Sequence, residues 1–498
     1  MTFRGTTIKL QRLFASNAFF YVVLGFFIFQ ALWFVFSAIY PMAFDEEFHF
    51  GIIQIYSHQW SPFLNGQPGG ADSFGALASD PSFLYHYLMS FPERLLAGLT
   101  DNQTAQVIVL RLINVALFAY SLVLFRKFLL RIKASPALAH IILAVFVLIP
   151  IVPMLAAHIN YDNLLMVLVA WLCLLVLDIT DHLARRDVPI RLLIVLVIVC
   201  LLTCLVKYPA LPIAAAIMGF VVYQVWRQFR GQGHQFIQAT RRSVGGISRA
   251  SKILLVLLFL VSAVLFGQRY GVNMYRYHTP VPDCDVVLSE ARCMAYGPWQ
   301  RNHLLAAQHP QFNHSPVNFT LTWAHDLWKR LYFAVNGPKS DYATRLPLPV
   351  PSVTAAVLGL FGLVMIIVYW RRVFWHNPGL QLAMAIIVTY VLVLWLDNYS
   401  QYLYTGVPVA INGRYLLPVA ILAGAVVGRA IGIAYAKRPE LKLWLATITL
   451  TLLLWGGGVM TFMVRSDSSW NWPNSFVVDA NNAARSVLRP LIPEGMDR

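Results

Sequence analysis

Charged residues are scarce in this chain of 498 residues. Asp, Glu, Lys and Arg make up 12% of the chain, about half the share that is usual in soluble domains. Apolar residues make up 58%, and the acidic residues number only 22 against 38 basic ones. A large soluble fold is inconsistent with this composition, because so few charges cannot cover a water-exposed surface.

Cysteines are also few, and their positions argue against a thiol-based metal or redox site. Cys173, Cys200 and Cys204 fall inside apolar segments, where we expect small buried side chains. Cys284 and Cys293 lie in a longer polar segment, and we predict that they form a disulfide in an oxidising compartment. The sequence also lacks internal repeats of the kind found in transporters.

What the sequence does contain is a series of apolar segments of about 20 residues, each long enough to cross the bilayer as a helix. The fold class that we predict is an all-α polytopic membrane protein with about 11 transmembrane helices. The first segment is too long for a cleavable signal peptide, and no small-residue cleavage site follows it. The predicted spans are 18–40, 106–125, 137–157, 161–179, 192–206, 208–226, 253–268, 351–369, 379–396, 414–435 and 443–463.

The distribution of basic residues predicts the orientation of these spans. With the N-terminus in the cytoplasm and the spans alternating, the inner segments hold 22 of the 38 basic residues and four of the 22 acidic residues. The inner side then carries +18 and the outer side −2, which together give the net charge of +16. The positive charge therefore indicates topology and attraction to anionic lipid, not binding to nucleic acid.

The predicted organisation has four parts, and the long loops all lie on the outer side. Long structured loops on one side only indicate chemistry or recognition on that side. The parts are an N-terminal transmembrane module, 1–270, whose first outer loop, 41–105, is the catalytic candidate; an extracytoplasmic loop, 271–350; C-terminal transmembrane helices, 351–463; and an extracytoplasmic tail, 464–498, in which 476–489 has the pattern of an amphipathic helix.

An acidic motif follows the first span directly. It reads Phe44-Asp45-Glu46-Glu47-Phe48-His49-Phe50-Gly51. Three consecutive carboxylates where a span leaves the membrane are costly unless they are solvated, paired or used. One interpretation is an interfacial helix that Asp45 caps. The other, which we favour, is a carboxylate site with His49 on the same helical face as Asp45.

A second polar cluster lies on the predicted outer turn between the third and fourth spans. It reads His158-Ile159-Asn160-Tyr161-Asp162-Asn163-Leu164. Asp162 opens the fourth span, and one interpretation makes it the N-cap of that helix. In the other, Asp45 and Asp162 together position a hydroxyl nucleophile, one as the base and one as the orienting group.

Single cations stand at the outer ends of later spans: Lys207 before Tyr208-Pro209, and Arg414 in Asn412-Gly413-Arg414-Tyr415. Arg111, near the outer end of the second span, is a weaker candidate of the same kind. Such cations either extend to lipid headgroups or face a cavity or an anion. A lipid-linked phosphate is the anion that suits outward-facing carboxylates and cations at a membrane interface.

The first acidic motif resembles the Phe-Asp-Glu-x-His-Phe-Gly signature of protein O-mannosyltransferases, with one extra residue before His49. More widely, the chain resembles the GT-C glycosyltransferases, which use polyprenyl-phosphate sugars and include the lipid A aminoarabinose transferases. The segment Asp80-Pro81-Ser82-Phe83-Leu84-Tyr85-His86-Tyr87 is similar to the Pro-Pro-Leu-Tyr-Tyr segment of that class, except at Ser82 and Phe83. The extra residue and the lack of a large soluble loop domain argue against O-mannosylation of protein itself.

This resemblance implies a GT-C-like fold and an inverting transfer of a hexosyl or pentosyl unit to a glycan, lipid or protein acceptor. It implies the extracytoplasmic face of a membrane, which we expect to be the bacterial inner membrane. The sequence itself indicates no certain cofactor, and a divalent cation, Mg or Mn, is the one candidate. The expected catalytic residues are Asp45, Glu46 and Asp162; the expected donor-phosphate ligands are Lys207, Arg414 and Tyr208; and the expected contacts to acceptor or sugar are His49, Tyr85 and His158.

Two other functions remain open from the sequence. A transporter or flippase of lipid-linked or polar cargo would have charged or broken helices near the bilayer midplane. Pro150 and Pro153 interrupt one span, but no acid lies in the middle of any predicted span. A non-catalytic assembly protein is the third reading.

The topology is directly testable by labelling single-cysteine reporters with a membrane-impermeant reagent. We expect residues 45, 162, 207, 300 and 480 to be extracytoplasmic, and residues 130, 186, 240 and 438 to be cytoplasmic. Labelling at 240 without labelling at 300 would invert the topology and the proposed side of the chemistry.

Overall fold

The computed structural model describes residues 3–42, 45–308, 314–336, 343–345, 348–466 and 468–491. Regular structure within these ranges is almost entirely helical, which confirms the all-α polytopic class. The exception is one antiparallel pair of three-residue strands, β1 (Ala334–Asn336) and β2 (Ala343–Arg345).

The helices of the first part of the chain carry the apolar segments up to the second long loop. They are α1 (Phe3–Ala15), α2 (Asn17–Ser37), α3 (Glu46–Ser57), α4 (Leu84–Ala97), α5 (Gln103–Arg131), α6 (Pro136–Val147), α7 (Ile151–Ala156), α8 (Asp162–Ala184), α9 (Ile190–Val206), α10 (Leu211–Phe229), α11 (Gly233–Gly246), α12 (Arg249–Phe266) and α13 (Val272–Tyr277).

The remaining helices form the second loop, the C-terminal spans and the tail. They are α14 (Cys284–Val287), α15 (Glu290–Cys293), α16 (Gly297–Ala307), α17 (Pro316–Lys329), α18 (Pro349–Phe374), α19 (Pro378–Thr405), α20 (Leu417–Ala434), α21 (Pro439–Leu454), α22 (Val459–Arg465) and α23 (Ser475–Leu488). The amphipathic pattern of 476–489 thus forms the helix α23, and the predicted disulfide between Cys284 and Cys293 is present.

Each predicted span corresponds to an apolar helix, but two of these helices are short. Nine helical segments among the described residues are long and apolar enough to cross a membrane, and α6 and α9 are the two shorter ones. With 12 residues, α6 extends only about 18 Å. Pro150 and Pro153 follow it, and they explain why the chain resumes as the separate helix α7. Pro209 similarly ends the helical run after α9.

The ends of the alternating spans meet in two groups, which define two ends of the bundle. At one end, Asp162 at the start of α8 approaches Lys207 at the end of α9. At the other end, Arg131 at the end of α5 pairs with Asp178 and Asp181, near the end of α8. We call these the Asp45 end and the Arg131 end. The tail lies at the Asp45 end, where the Trp472 amide donates to the Ser37 carbonyl over 2.9 Å.

The span α8 is the centre of the bundle, whereas α12 and α18 are peripheral. In the apolar part of α8, 72% of the residues are buried, compared with 11% in the spans built on α12 and α18. The apolar sides of those two spans are therefore the surfaces available to lipid tails. Neighbouring spans supply the packing of the buried centre around α8.

A completely buried ion pair fixes the position of the first loop. The Arg111 guanidinium of α5 donates Nε to Glu46 Oε1 over 2.8 Å and Nη2 to Glu46 Oε2 over 2.7 Å, and both side chains are 0% exposed. Arg111 also donates to the Ala38 carbonyl at the end of α2 over 2.7 Å. Burial raises the pKa of Glu46, but the adjacent guanidinium more than offsets this and holds the pKa below its ordinary value.

Removing one member of this pair leaves an uncompensated charge in a water-free site. We expect Arg111→Met or Glu46→Gln to lower the free energy of unfolding by about 3–5 kcal/mol, and the double variant to recover part of that loss. Arg131→Met is the control, because its side chain is 41% exposed and surface pairs contribute less than about 1 kcal/mol. Equal losses for Arg111→Met and Arg131→Met in denaturant titrations in detergent would show that the buried pair has no special role.

Candidate functional site

Four segments from distant parts of the sequence meet at the Asp45 end. They are the start of α3, the start of α8, the end of α9 and the short 3₁₀ turn Gly413–Leu416 that precedes α20. Each contributes one charged side chain: Asp45, Asp162, Lys207 and Arg414. The structure therefore brings together the two acids and the two cations that the sequence analysis selected.

Asp45 and Arg414 form the first ion pair of the site. The guanidinium Nη2 of Arg414 donates to Asp45 Oδ2. The Arg414 side chain is 4% exposed, whereas that of Asp45 is 42% exposed. Burial raises the pKa of Asp45, and Arg414 more than offsets this, so the carboxyl has a pKa below its ordinary value. Asp45 is thus an ionised carboxylate with one open side.

Asp162 and Lys207 form the second ion pair, which is almost fully enclosed. Lys207 Nζ donates to Asp162 Oδ1 over 2.6 Å, and both side chains are 3% exposed. The other carboxylate oxygen, Asp162 Oδ2, is buried and has no hydrogen-bond partner among the described residues. A buried carboxylate oxygen without a donor is unfavourable, so this atom is available for a hydroxyl or another donor that enters the site.

Two tyrosines connect the pairs. The Tyr415 ring centroid lies 5.1 Å from Lys207 Nζ and 5.4 Å from the Arg414 guanidinium carbon. The Tyr161 ring centroid lies 4.7 Å from Lys207 Nζ. Aromatic faces stabilise nearby cations while excluding water. The two rings therefore help to hold two buried cations near one another, in addition to the one carboxylate that pairs with each cation.

Glycines allow the close approach of the segments that carry this site. A side chain at Gly413 would place its Cβ 2.6 Å from the Leu327 carbonyl oxygen and 2.8 Å from the Leu331 amide nitrogen. A Cβ at Gly51 would lie 2.3 Å from the ring of Phe74. The glycine next to Arg414 and the glycine that closes the first acidic motif are therefore packing requirements.

The capping interpretation of the two acids is wrong. Asp45 precedes α3, but its side chain makes no capping hydrogen bond. Asp162 lies inside the first turn of α8, and Asn160 Oδ1 accepts instead from the Asp162 amide over 2.9 Å. Headgroup contact also does not describe Lys207 or Arg414, because both are buried and paired within the protein.

Buried histidine, tyrosine and asparagine side chains lie beneath the ion pairs. His49 Nδ1 and His86 Nε2 are 2.8 Å apart, and the His49 ring packs edge-on against Tyr161 at 4.5 Å. Tyr85 donates its hydroxyl to Asn114 Oδ1 over 2.9 Å. Burial lowers the pKa of His86 to about 3, and burial followed by His86 and His158 lowers the pKa of His49 well below 6.5.

The other expected site residues occupy different environments. Both carboxylate oxygens of Glu46 are used by Arg111 and by backbone amides, which makes Glu46 a positioning residue for its neighbour Asp45. His49, Tyr85 and His158 are at most 1% exposed, so their contact with a sugar or acceptor stays a prediction. Tyr208, which follows Lys207, is 40% exposed and remains accessible to a ligand.

The donor set does not fit a divalent metal ion. Mg²⁺ and Mn²⁺ favour several oxygen ligands, whereas Asp45 and Asp162 each already pair with a cation. Within the described ranges, no three His, Cys, Asp or Glu side chains are arranged to hold a metal ion. The described side chains therefore do not support Mg or Mn as a cofactor of this site.

Several residues of the site were not predicted to be functional from the sequence. Tyr161, Tyr415, His86 and Asn160 stood within quoted motifs without a role, and Asn114 lies in the middle of an apolar span. Residues three apart share a helical face. The polar side chain of Asn114, three residues after Arg111, could therefore have indicated that both residues face the same buried region.

Comparison with protein-family models, with curated proteins and with solved structures finds no match for this chain. The resemblance to the GT-C class accordingly remains a prediction from short motifs.

The neutral histidine pair predicts a pH dependence of stability. Because the pKa of His86 is about 3 when folded, the folded state binds fewer protons at pH 5 than the unfolded state, whose histidine has a pKa of about 6.5. The protein therefore keeps its full free energy of unfolding, as far as His86 affects it, at pH 7. As the pH falls below about 6.5 this free energy declines, by roughly 2 kcal/mol at pH 5 for this residue.

Thermal unfolding of the purified protein at pH 7 and pH 5 measures this effect. We expect His86→Gln to reduce the difference between the two pH values, and His325→Gln, whose side chain is 72% exposed, to leave it unchanged. An unaltered pH dependence in His86→Gln would mean that His86 is already charged in the folded protein.

Proposed function

We propose that this chain is an integral membrane glycosyltransferase that moves a sugar from a polyprenyl-phosphate donor to an acceptor at the extracytoplasmic face. One observation supports this most strongly. The site combines an accessible ionised carboxylate, Asp45, with two buried cations, Lys207 and Arg414, at one end of a bundle of apolar helices. An acid to accept a proton and cations to hold a phosphate are the groups that such a transfer needs.

In the proposed reaction, the acceptor hydroxyl oxygen attacks the anomeric carbon from the face opposite the phosphate. The carbon–oxygen bond to the phosphate breaks, and its electron pair leaves with the polyprenyl phosphate. The hydroxyl proton passes to Asp45 and then to solvent. Attack opposite the leaving group inverts the anomeric centre. Lys207 and Arg414 stabilise the negative charge that develops on the phosphate, with Tyr208 beside it.

The ion pairs of the site suit this sequence of events. Arg414 lowers the pKa of Asp45 when the two are paired, and a carboxylate with a low pKa is a weak base. A phosphate that takes over the guanidinium releases Asp45 from this effect and makes it a stronger base. Donor binding would thus prepare the base, while Asp162 Oδ2, to which no described residue donates, would accept from a sugar or acceptor hydroxyl.

An apolar groove offers a place for the lipid tail of the donor. It lies between α6, α20 and α21, has a volume of about 240 Å³, and is lined by Ala420 near the Asp45 end and Lys442 near the Arg131 end. Ala420 follows Arg414 by six residues, or about 10 Å along the 3₁₀ turn and the first turn of α20. A phosphate at Arg414 would therefore lie close to the start of a groove that follows the bilayer normal.

The transporter or flippase reading has one structural feature in its favour. The run from α21 to α22 is broken at residues 455–458, and the Gly458 amide there donates to the Leu148 carbonyl, beside the break between α6 and α7, over 2.7 Å. Broken helices do line transport pathways. The charged site, however, lies at span ends instead of at their middle, which favours the enzyme.

A panel of polyprenyl-phosphate sugars offered to the purified protein tests the proposal, with sugar release or transfer as the readout. We expect Asp45→Asn to lower the transfer rate by about 100- to 10,000-fold, the usual effect of losing a general base, while donor affinity is kept. Lys207→Met should instead weaken donor binding.

Asp101→Asn is the matched control, because this carboxylate is exposed at the same end of the bundle and should have no effect. Full activity of both Asp45→Asn and Asp162→Asn would contradict the mechanism. Movement of lipid-linked sugar across proteoliposomes without any transfer would instead favour the flippase.

A further inference from the structure

A second cleft opens at the Arg131 end, far from the site described above. It lies where α10 and α18 end and α19 begins, and its volume is about 600 Å³, which is within the range of ligand pockets. The helix α10 extends from Leu211, close to Lys207, over 19 residues to Phe229, or about 28 Å. The cleft and the Asp45 site are therefore at opposite faces of the membrane-spanning bundle.

Two arginines of the cleft have no acidic partner among the described residues. Arg227, in the last turn of α10, and Arg371, in the last turn of α18, both line it. In the part of the chain that the structure describes, neither forms an ion pair, and the cleft lining contains no acidic residue. Arg131 at the same end is different, because it pairs with Asp178 and Asp181. Two guanidinium groups facing one cleft without a carboxylate favour an anion.

Aromatic side chains form the walls of the same cleft. Tyr223, Trp370 and Trp375 line it, and they are 48%, 53% and 68% exposed. Tryptophan and tyrosine are favoured at the level of lipid headgroups, where an apolar ring and a polar edge are both accommodated. The cleft also continues onto the span α18, only 11% of whose apolar part is buried in the protein. The ligand that fits is one with a phosphate and an adjoining apolar body.

We propose that this cleft binds the phosphate of an anionic phospholipid from the leaflet at the Arg131 end. Arg227 and Arg371 hold the phosphate, and the aromatic walls pack against the glycerol and the first carbons of the acyl chains. Basic pockets between spans recognise anionic headgroups by this combination of charge and interface position. The lipid bound here is separate from any donor at the Asp45 site, because the length of the bundle lies between them.

Brominated lipids test this directly, because bromine quenches tryptophan fluorescence on contact. The full chain is placed in nanodiscs of phosphatidylcholine that contain a small fraction of brominated phosphatidylglycerol or, in parallel, of brominated phosphatidylcholine. We expect stronger quenching by phosphatidylglycerol, and loss of that preference by about tenfold in apparent affinity in Arg227→Gln/Arg371→Gln, which removes two charge-assisted contacts. Trp370→Phe/Trp375→Phe should remove the lipid-specific part of the signal.

The control is Arg372→Gln/Arg429→Gln, which removes the same charge from the bundle but no residue of the cleft lining. It should keep the preference, and an equal loss in both double variants would overturn the proposal in favour of general surface attraction. Displacement of the lipid by millimolar inorganic phosphate would also overturn it, since the ligand would then be a soluble phosphate. The single variants Arg227→Gln and Arg371→Gln serve where the double variant does not fold. None of these measurements uses glycosyl transfer, so the result is independent of the proposed enzyme activity.

Discussion

The candidate site depends on the ion pair between Glu46 and Arg111. A charge taken out of water is tolerated only with a partner and hydrogen bonds for its remaining atoms, and both conditions are met here. Glu46 accepts from Arg111 and from the Met42 amide, and Arg111 donates to the Ala38 carbonyl. The end of α2, the start of α3 and the span α5 are thereby held together. Asp45, the residue that precedes Glu46, is consequently held at a fixed position.

Adjacent carboxylates have opposite environments for a simple geometric reason. Asp45 precedes α3 with a non-helical backbone, whereas Glu46 is the first residue of the helix, so Glu46 faces the bundle while Asp45 faces the opening. Glu46 is completely buried and Asp45 is 42% exposed. The two adjacent acids thus have separate tasks in the proposed function: Glu46 holds the loop, and Asp45 can exchange its partner. A single carboxylate could not do both, because releasing its cation would also release the loop.

The sequence predicted the spans well, because a bilayer requires long apolar helices and charge is visible wherever they end. It also indicated Asp45, Asp162, Lys207 and Arg414, since each is a charged residue at a costly depth. The partners of these residues could not be predicted. Arg111 was the weakest of the cation candidates, yet it is completely buried, and pairing across 65 residues leaves no local pattern. The roles of His86 and Tyr415 were missed for the same reason, because their contacts come from other segments.

Positive charge has different surroundings at the two ends of the bundle, and the difference affects how each end could bind an anion. At the Asp45 end, the cations are buried at 3–4% exposure and each has a carboxylate partner, so an incoming anion must displace an internal one. Such exchange makes binding selective, because a weak anion cannot replace a well-placed carboxylate. At the Arg131 end, Arg227 and Arg371 lie in an open cleft whose lining, among the described residues, includes no acid, so the membrane anion proposed to bind there would not have to displace a carboxylate. Chemistry on a scarce lipid-linked substrate suits the first arrangement, and stable residence among abundant lipids suits the second.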